Sequence, residues 1–334
     1  MKDKKQVLFR AIILCGITAL LLVGFLVYQN HKQDRQTPRS SGTKEFMEEG
    51  IVTWEGERYR RTPAVKTILL AGIDRTGNEL EGVSSARYRS GGQADFLMFI
   101  AIDHTNRQIH RLQIDRDAMT EATVLSVYGQ ETGTRLMQVC LSHSFGATKE
   151  DNARYTIRAV RNLMDNEEIY NWYMVDYTAV GTLADMLGGI QLTVPTDMTS
   201  IDSSWTTGTE ISLIGDQAIR FVRERKTIGK GTNEERMQRQ NVFMDAALEQ
   251  TRLAFDADSD FGSELLSALR SKSETNLSDA ELLDIINSTK TYEVLPVNYL
   301  DGTYTTGDSG YMEFYPAENT SQDWIIQNLY TKVL

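Results

Sequence analysis

Between Ala11 and Tyr28 the chain carries no charged side chain, and Val7-Leu8-Phe9 extends this apolar run past a single Arg10. At ~1.5 Å per helical residue, such a run reaches across a hydrocarbon core of ~30 Å. It divides the chain into a segment that partitions into lipid and a remainder that must fold in water. Lys2, Lys4, Lys5 and Arg10 precede the run, so the positive-inside tendency keeps the N-terminus cytoplasmic and sends the rest outside. Phe25-Leu-Val-Tyr-Gln-Asn30 offers no small-x-small cleavage site, and the run reads as an uncleaved anchor. The expected organisation is a cytoplasmic stretch 1–10, a transmembrane anchor 11–28, an extracellular tether 29–50, a main domain 51–255 and a helical extension 256–334 packed on the same domain. The expected location is the cell membrane, with a single pass and the C-terminal domain extracellular.

Charge divides at the same boundary. Residues 1–35 carry six Lys/Arg against two Asp/Glu, which leaves 29 against 44 for the remainder of a chain whose net charge is −11. An outer domain this acidic excludes nucleic acid as its partner. Two cysteines, Cys15 in the anchor and Cys140 beyond it, cannot meet across a membrane boundary, so no disulfide framework is expected and Cys140 reads as a small core residue.

Ile51 to Tyr59 reads as a hairpin around Glu55-Gly56, and strands follow at 66–73, 95–102, 108–115, 171–176, 190–194 and 291–297. Helices are expected at 150–164, 178–187, 215–224, 233–255, 260–271, 279–289 and 321–332, the sixth opened by the capping-box pattern Ser278-Asp-Ala-Glu281. This alternation predicts an α/β fold: a layered α/β/α domain with a mixed central sheet, preceded by one N-terminal transmembrane helix.

Charged residues stand at the ends of the apolar strands: Asp74-Arg75 after Ile73, Asp95 before Phe96, and Asp115-Arg116-Asp117 after Ile114. Singly each reads as a turn residue or a local ion pair. Together, at strand ends where open α/β sheets bind ligands, they point to a site. Arg223-Glu-Arg225 and Arg236-Met-Gln-Arg239-Gln240 add guanidiniums. On the helix 233–255, Met237, Met244, Ala247 and Leu248 form the apolar face and Gln238, Asp245, Glu249 and Arg252 the opposite one. Arg236, Arg239 and Gln240 flank the apolar stripe, a position that suits a half-buried anion better than a solvated charge run. Carboxylates for a hard divalent cation beside guanidiniums for phosphate oxygens suggest a pyrophosphate-handling site. His31, His104, His110 and His143 have no nucleophile motif and no zinc-ligand spacing around them.

The ordered series Ile68-Leu-Leu-Ala-Gly-Ile-Asp74-Arg75, Ala94-Asp95, Arg116-Asp117, Tyr173-Met-Val-Asp-Tyr177, Asp185-Met-Leu-Gly-Gly189, Gly215-Asp-Gln-Ala218, Arg223-Glu-Arg225 and Arg236-Met-Gln-Arg239-Gln240 resembles the LytR-CpsA-Psr family of Gram-positive envelope proteins over about residues 66–250. The resemblance implies a phosphotransferase that moves a glycopolymer, such as teichoic acid, from an undecaprenyl-pyrophosphate carrier to peptidoglycan, assisted by Mg2+. By motif, Asp74, Asp95, Arg116 and Asp117 would be catalytic, with Asp74 and Asp95 holding the metal. Arg75, Arg116, Arg223, Arg225, Arg236, Arg239 and Gln240 would bind the pyrophosphate, and the lipid would lie in an apolar groove between sheet and helices. The chain departs from the family pattern in four places: Asp115 stands where Pro is common, Gln93-Ala94-Asp95 replaces Arg-Ser-Asp, Asn233 replaces an Asp, and the stretch Thr76 to Gly92 separates Asp74 and Asp95 more widely than usual. Arg87 or Arg89 is expected to supply the missing charge. The alternative is a non-catalytic scaffold that binds the polyprenyl-phosphate precursor. A DNA-binding regulator is excluded, because a ten-residue cytoplasmic stretch cannot house such a domain.

Overall fold

The computed structural model describes residues 50–75 and 91–333, so the cytoplasmic stretch, the anchor, most of the tether and the candidates Arg87 and Arg89 lie outside it. Among the described residues no helix is long and apolar enough to cross a membrane.

In chain order, a hairpin of β1 (Ile51–Trp54) and β2 (Glu57–Arg61) leads into β3 (Val65–Ile73), β4 (Ala94–Asp103) and β5 (Gln108–Ile114). A second hairpin, β6 (Met119–Leu125) and β7 (Glu131–Gln138), precedes α1 (Lys149–Leu163), β8 (Asn171–Asp176) and α2 (Tyr177–Met186). A small ribbon of β9 (Ile190–Thr193) and β10 (Glu210–Leu213) leads to α3 (Gly215–Arg223), α4 (Asn233–Ala257) and α5 (Phe261–Leu269). Then come β11 (Ser273–Thr275), α6 (Asp279–Thr289), β12 (Glu293–Tyr299), the hairpin β13 (Gly302–Thr306) and β14 (Met312–Pro316), α7 (Thr320–Leu329) and β15 (Tyr330–Lys332).

Six strands form the central sheet in the order β11-β8-β3-β4-β5-β12. The pairs β3/β4, β4/β5 and β11/β8 are antiparallel, while β3/β8 and β12/β5 are parallel, so the sheet is mixed as expected. Strands β3 and β4 lack polar alternation because both of their faces are covered. Ile68 and Leu70 enter one core with Phe96, Met98 and Ile100, while Leu69 and Ala71 enter the other with Leu97 and Phe99. The first core is closed by Phe221, Phe243, Met244, Leu265 and Ile285 from α3, α4, α5 and α6. The second is closed by α1 and α7, with Trp324 set edge-on to Phe99 at 5.7 Å between ring centroids. Met237, Met244, Ala247 and Leu248 of α4 are buried, and Gln238, Asp245 and Glu249 are exposed, as their spacing predicts. Ser278 and Glu281 make the expected capping box.

One expectation is corrected. Residues 256–334 are not a helical extension: they supply β11 and β12, the two edge strands of the sheet, and the β13–β14 hairpin besides three helices. The sheet therefore runs across the boundary placed at 255. Short edge strands such as Ser273–Thr275 carry no run of alternation from which a sequence can reveal them.

Candidate active site

Because β4 runs antiparallel to both neighbours, its first residues lie beside the last residues of β3 and β5. Ile73 faces Ala94 and Leu97 faces Ile114, which gathers Asp74, Asp95 and Asp115-Arg116-Asp117 at one end of these three inner strands. Gly92 adopts φ +74°, and a Cβ there would stand 2.7 Å from the Asp74 carbonyl oxygen, so this close crossing requires glycine. The Asp74 amide donates to the Gln93 carbonyl at 2.8 Å, joining the two acidic strand ends.

Asp95 is 6% exposed and sits at the centre. Its Oδ1 accepts from Arg116, and its Oδ2 accepts from Arg236 at 2.8 Å and from the Tyr177 hydroxyl at 3.4 Å. Arg116 also donates to Gln93 and to the Cys140 sulfur, and it approaches Asp117 at 3.3 Å. Arg225 stands 3.8 Å from Asp117. Arg223 reaches Asp74 at 2.9 Å, with its guanidinium 5.5 Å from the Tyr177 ring centroid. The side chains of Arg223 and Arg225 keep 41% and 27% exposure, so both open toward solvent at the mouth of the site.

The electrostatics of this group favour an anion. Burial, and then the nearby Arg236, hold Arg225 below its ordinary value, and the same causes bring Arg239 down to about 10. Burial also works against the charge on Arg116, but Cys140, Asp95 and Asp117 hold it above its ordinary value. Burial raises Asp117 against the pull of Arg116. A bound anion would offset the lost hydration of Arg225 and its repulsion by Arg236.

Three residues expected at the pyrophosphate are turned elsewhere. Arg75 is 2% exposed and turns toward the neighbouring strands β8 and β11, where it donates to Asp176 at 2.9 Å and also pairs with Glu274. Arg239, 1% exposed, donates to the Phe221 and Glu224 carbonyls and ties the Arg223–Arg225 segment to α4. Gln240 is buried behind the cluster, donating to the Val222 carbonyl at 3.3 Å and accepting from Gln113 at 3.1 Å. Cys140 is buried, as expected, but against Arg116 rather than in an apolar setting, and burial pushes its thiol up to about 12.

The unusual residues compensate one another. Asp115 accepts from the Asn233 amide at 2.8 Å, the Tyr304 hydroxyl at 2.6 Å and the Asp117 backbone at 2.7 Å. Asn233, with its other end, accepts from Arg236 at 2.6 Å. An aspartate at 233 would face Asp115 as a like charge, whereas asparagine donates to Asp115 and accepts from Arg236 at once. Gln93 likewise turns its carbonyl oxygen to Arg116. Glu274 and Tyr304 join the site from the C-terminal third, and their distance along the chain hides them from any local motif.

Next to the cluster lies an apolar cavity of ≈ 40 Å3 lined by Leu70, Gly72, Phe96, Val175, Val180 and Phe243, with Asp176, Tyr177 and Gln240 also in its wall. It occupies the expected place of a lipid groove between sheet and helices, and its walls are almost wholly apolar.

Among the described residues no group of three or more His, Cys, Asp or Glu side chains is gathered to hold a metal ion. Asp74 and Asp95 are two hard oxygen donors on adjoining strand ends, and Mg2+ commonly takes one or two carboxylates while phosphates and waters complete its shell. That donor set fits Mg2+ in company with a phosphate substrate.

The sequence model of the LytR_cpsA_psr family matches residues 26–324. A polyisoprenyl-teichoic acid–peptidoglycan teichoic acid transferase, TagU of Bacillus cereus (strain AH820), is 23% identical over 288 residues, covering 84% of this chain and 82% of that protein. The crystal structure of protein gbs0355 from Streptococcus agalactiae aligns with a TM-score of 0.63 at 17% identity, over 79% of this chain and 87% of its own. TagT bound to LI-WTA aligns at 0.59 and 17%, over 80% and 91%. At such identities the two structures establish a shared fold.

Proposed function

The chain belongs to the LytR-CpsA-Psr family, and on that premise we propose that it is an extracytoplasmic, membrane-anchored transferase of cell-wall assembly. It moves a glycopolymer from a polyprenyl-pyrophosphate carrier to peptidoglycan. The observation that carries this reading is the cluster of Arg116, Arg223, Arg225 and Arg236 around Asp74, Asp95 and Asp117, at the mouth of an apolar cavity. The curated relative TagU supports the substrate class by its name.

In this reading the lipid occupies the cavity, and its pyrophosphate meets the guanidiniums. An acceptor hydroxyl attacks the phosphorus that bears the glycopolymer. A phosphodiester to the acceptor forms, the bond between that phosphorus and the bridging oxygen breaks, and polyprenyl phosphate leaves. Asp74, whose side chain is 35% exposed, takes the hydroxyl proton. Arg225 and Arg236 neutralise charge on the phosphoryl oxygens, and Arg116, fixed by Gln93 and Cys140, does so from the opposite strand end. Held by Asp74 and Asp95, Mg2+ would supply Lewis-acid neutralisation of the pyrophosphate. The absence of a nucleophile motif is consistent with direct transfer. The paired replacements at 93, 115 and 233 keep the arginines bound, which favours an active enzyme over a scaffold. Turnover of a lipid-linked glycopolymer by the purified full chain, lost in Asp74→Asn and in Arg116→Ala, is the expected result. Equal turnover in both variants would overturn the assignment.

A further inference from the structure

A second recess, of ≈ 350 Å3, opens at the β11 edge of the sheet between the start of α1 and the helices α5 and α6. Its volume falls within the ~300–1,000 Å3 of small-molecule sites. Trp172 and Thr275 line it, together with Lys149, Arg270, Glu274 and Asp279. Glu274 gives one carboxylate oxygen to Arg75, and that oxygen lies 3.5 Å from Lys149 Nζ. The Glu274 side chain is only 7% exposed, and its other oxygen, Oε2, is buried without a hydrogen-bond partner. Arg75 Nη1, on the other member of the same ion pair, is also buried without a partner. Arg75 lies behind Glu274 and does not line the recess, whereas Glu274 does, so its unpaired carboxylate oxygen is the one a ligand in the recess would satisfy.

The chemistry of that ligand follows from the lining. A carboxylate oxygen demands a donor, and a sugar hydroxyl supplies one. Lys149 and Arg270 are each matched by an acid, Glu274 and Asp279, so the recess has no cationic surplus to hold a second phosphate. Trp172 offers an aromatic wall to the C–H face of a pyranose. We propose that this recess binds a neutral saccharide segment. Given the function proposed above, on which this assignment rests, the segment is the acceptor glycan. Glu274 holds Arg75, Arg75 holds Asp176, and Asp176 lines the apolar cavity. A chain of two ion pairs thus joins the wall of the recess to the wall of the lipid cavity.

The test is titration of the detergent-solubilised full chain with chitotetraose, combined with hydroxyl-radical footprinting, and with polyprenyl pyrophosphate binding measured on the same preparation. The expected result is saturable binding with Trp172 protected. Affinity should fall at least fivefold in Arg270→Ala and in Glu274→Gln, the latter placing an amide donor where the ligand's hydroxyl should donate. Footprinting of the unaltered chain locates the sugar even if a variant fails to fold. No binding, or protection elsewhere than Trp172, overturns the inference whatever polyprenyl pyrophosphate does. Trp172 protection without polyprenyl pyrophosphate binding leaves the saccharide site standing and removes the function it was placed in.

Discussion

Replacing Asn233 by aspartate tests whether the unusual residues of this site are coupled. Asn233 and Asp115 are 5% and 4% exposed, with the Asn233 amide nitrogen 2.8 Å from Asp115 Oδ1. Asn233→Asp deletes that donor and sets a second carboxylate at the same separation. With an effective dielectric of ~20, two like charges at ~3 Å repel by ~5–6 kcal/mol. The introduced carboxyl can escape by taking up a proton, which at pH 7 costs about 4 kcal/mol from an ordinary value of ~3.9. A gain with Arg236, which already donates to Asn233 at 2.6 Å, offsets part of this. The expected net destabilisation is ~2–3 kcal/mol at pH 7. The sign with pH follows: an acid whose folded pKa is raised destabilises the fold only as pH climbs above its unfolded value, so the penalty should fade toward pH 4. Adding Asp115→Asn restores a donor facing an acceptor and should recover most of the loss, with a coupling of ~2 kcal/mol or more in the double-mutant cycle. The assay is urea unfolding of the solubilised chain followed by tryptophan fluorescence at pH 7.5 and pH 5. A single variant within ~0.5 kcal/mol of wild type at both pH values, or a double variant no better than the single, would refute the coupling.

Three further outcomes follow from the site. Arg75→Met strands Asp176 and Glu274 as buried acids and should destabilise by ~3–5 kcal/mol in the same unfolding assay, whereas Arg225→Ala should leave stability nearly unchanged and weaken polyprenyl pyrophosphate binding in a titration. Arg116→Ala should lower kcat for glycopolymer transfer by on the order of 10²–10³, with CD spectra unchanged. His143 is fully buried, with its Nδ1 2.9 Å from the Gly91 carbonyl oxygen, and burial holds it down at about 4. The unfolded chain then binds the extra proton as pH falls from ~6.5 to about 4, so stability should drop by on the order of 3 kcal/mol across that window. His143→Gln should flatten that part of the pH profile.

The sheet's inner strands and most helices were legible because they carry their own periodicity. Continuous apolar runs mark β3 and β4, a 3.6-residue stripe marks α4, and Ser278 with Glu281 marks the start of α6. The β6–β7 hairpin was not legible, since its threonine-rich strands expose most of β7 and show no apolar alternation. Its existence depends on pairing across the turn and on α1 packing behind β6.

The chemistry of the site follows the same division. The chain's own sequence determined that acids and guanidiniums would stand at strand ends and beside an apolar helical stripe, because charge at the end of a buried strand is local information. Which guanidinium joins the acidic cluster at the strand ends was decided by the tertiary structure. Arg75 and Arg116 look alike in sequence, each beside an acid at a strand end. Glu274, nearly two hundred positions after Arg75, draws Arg75 into the core together with Asp176. Cys140 and Gln93 instead keep Arg116 at Asp95. A buried guanidinium goes where acceptors can replace its lost hydration, and only the folded chain says where those acceptors are.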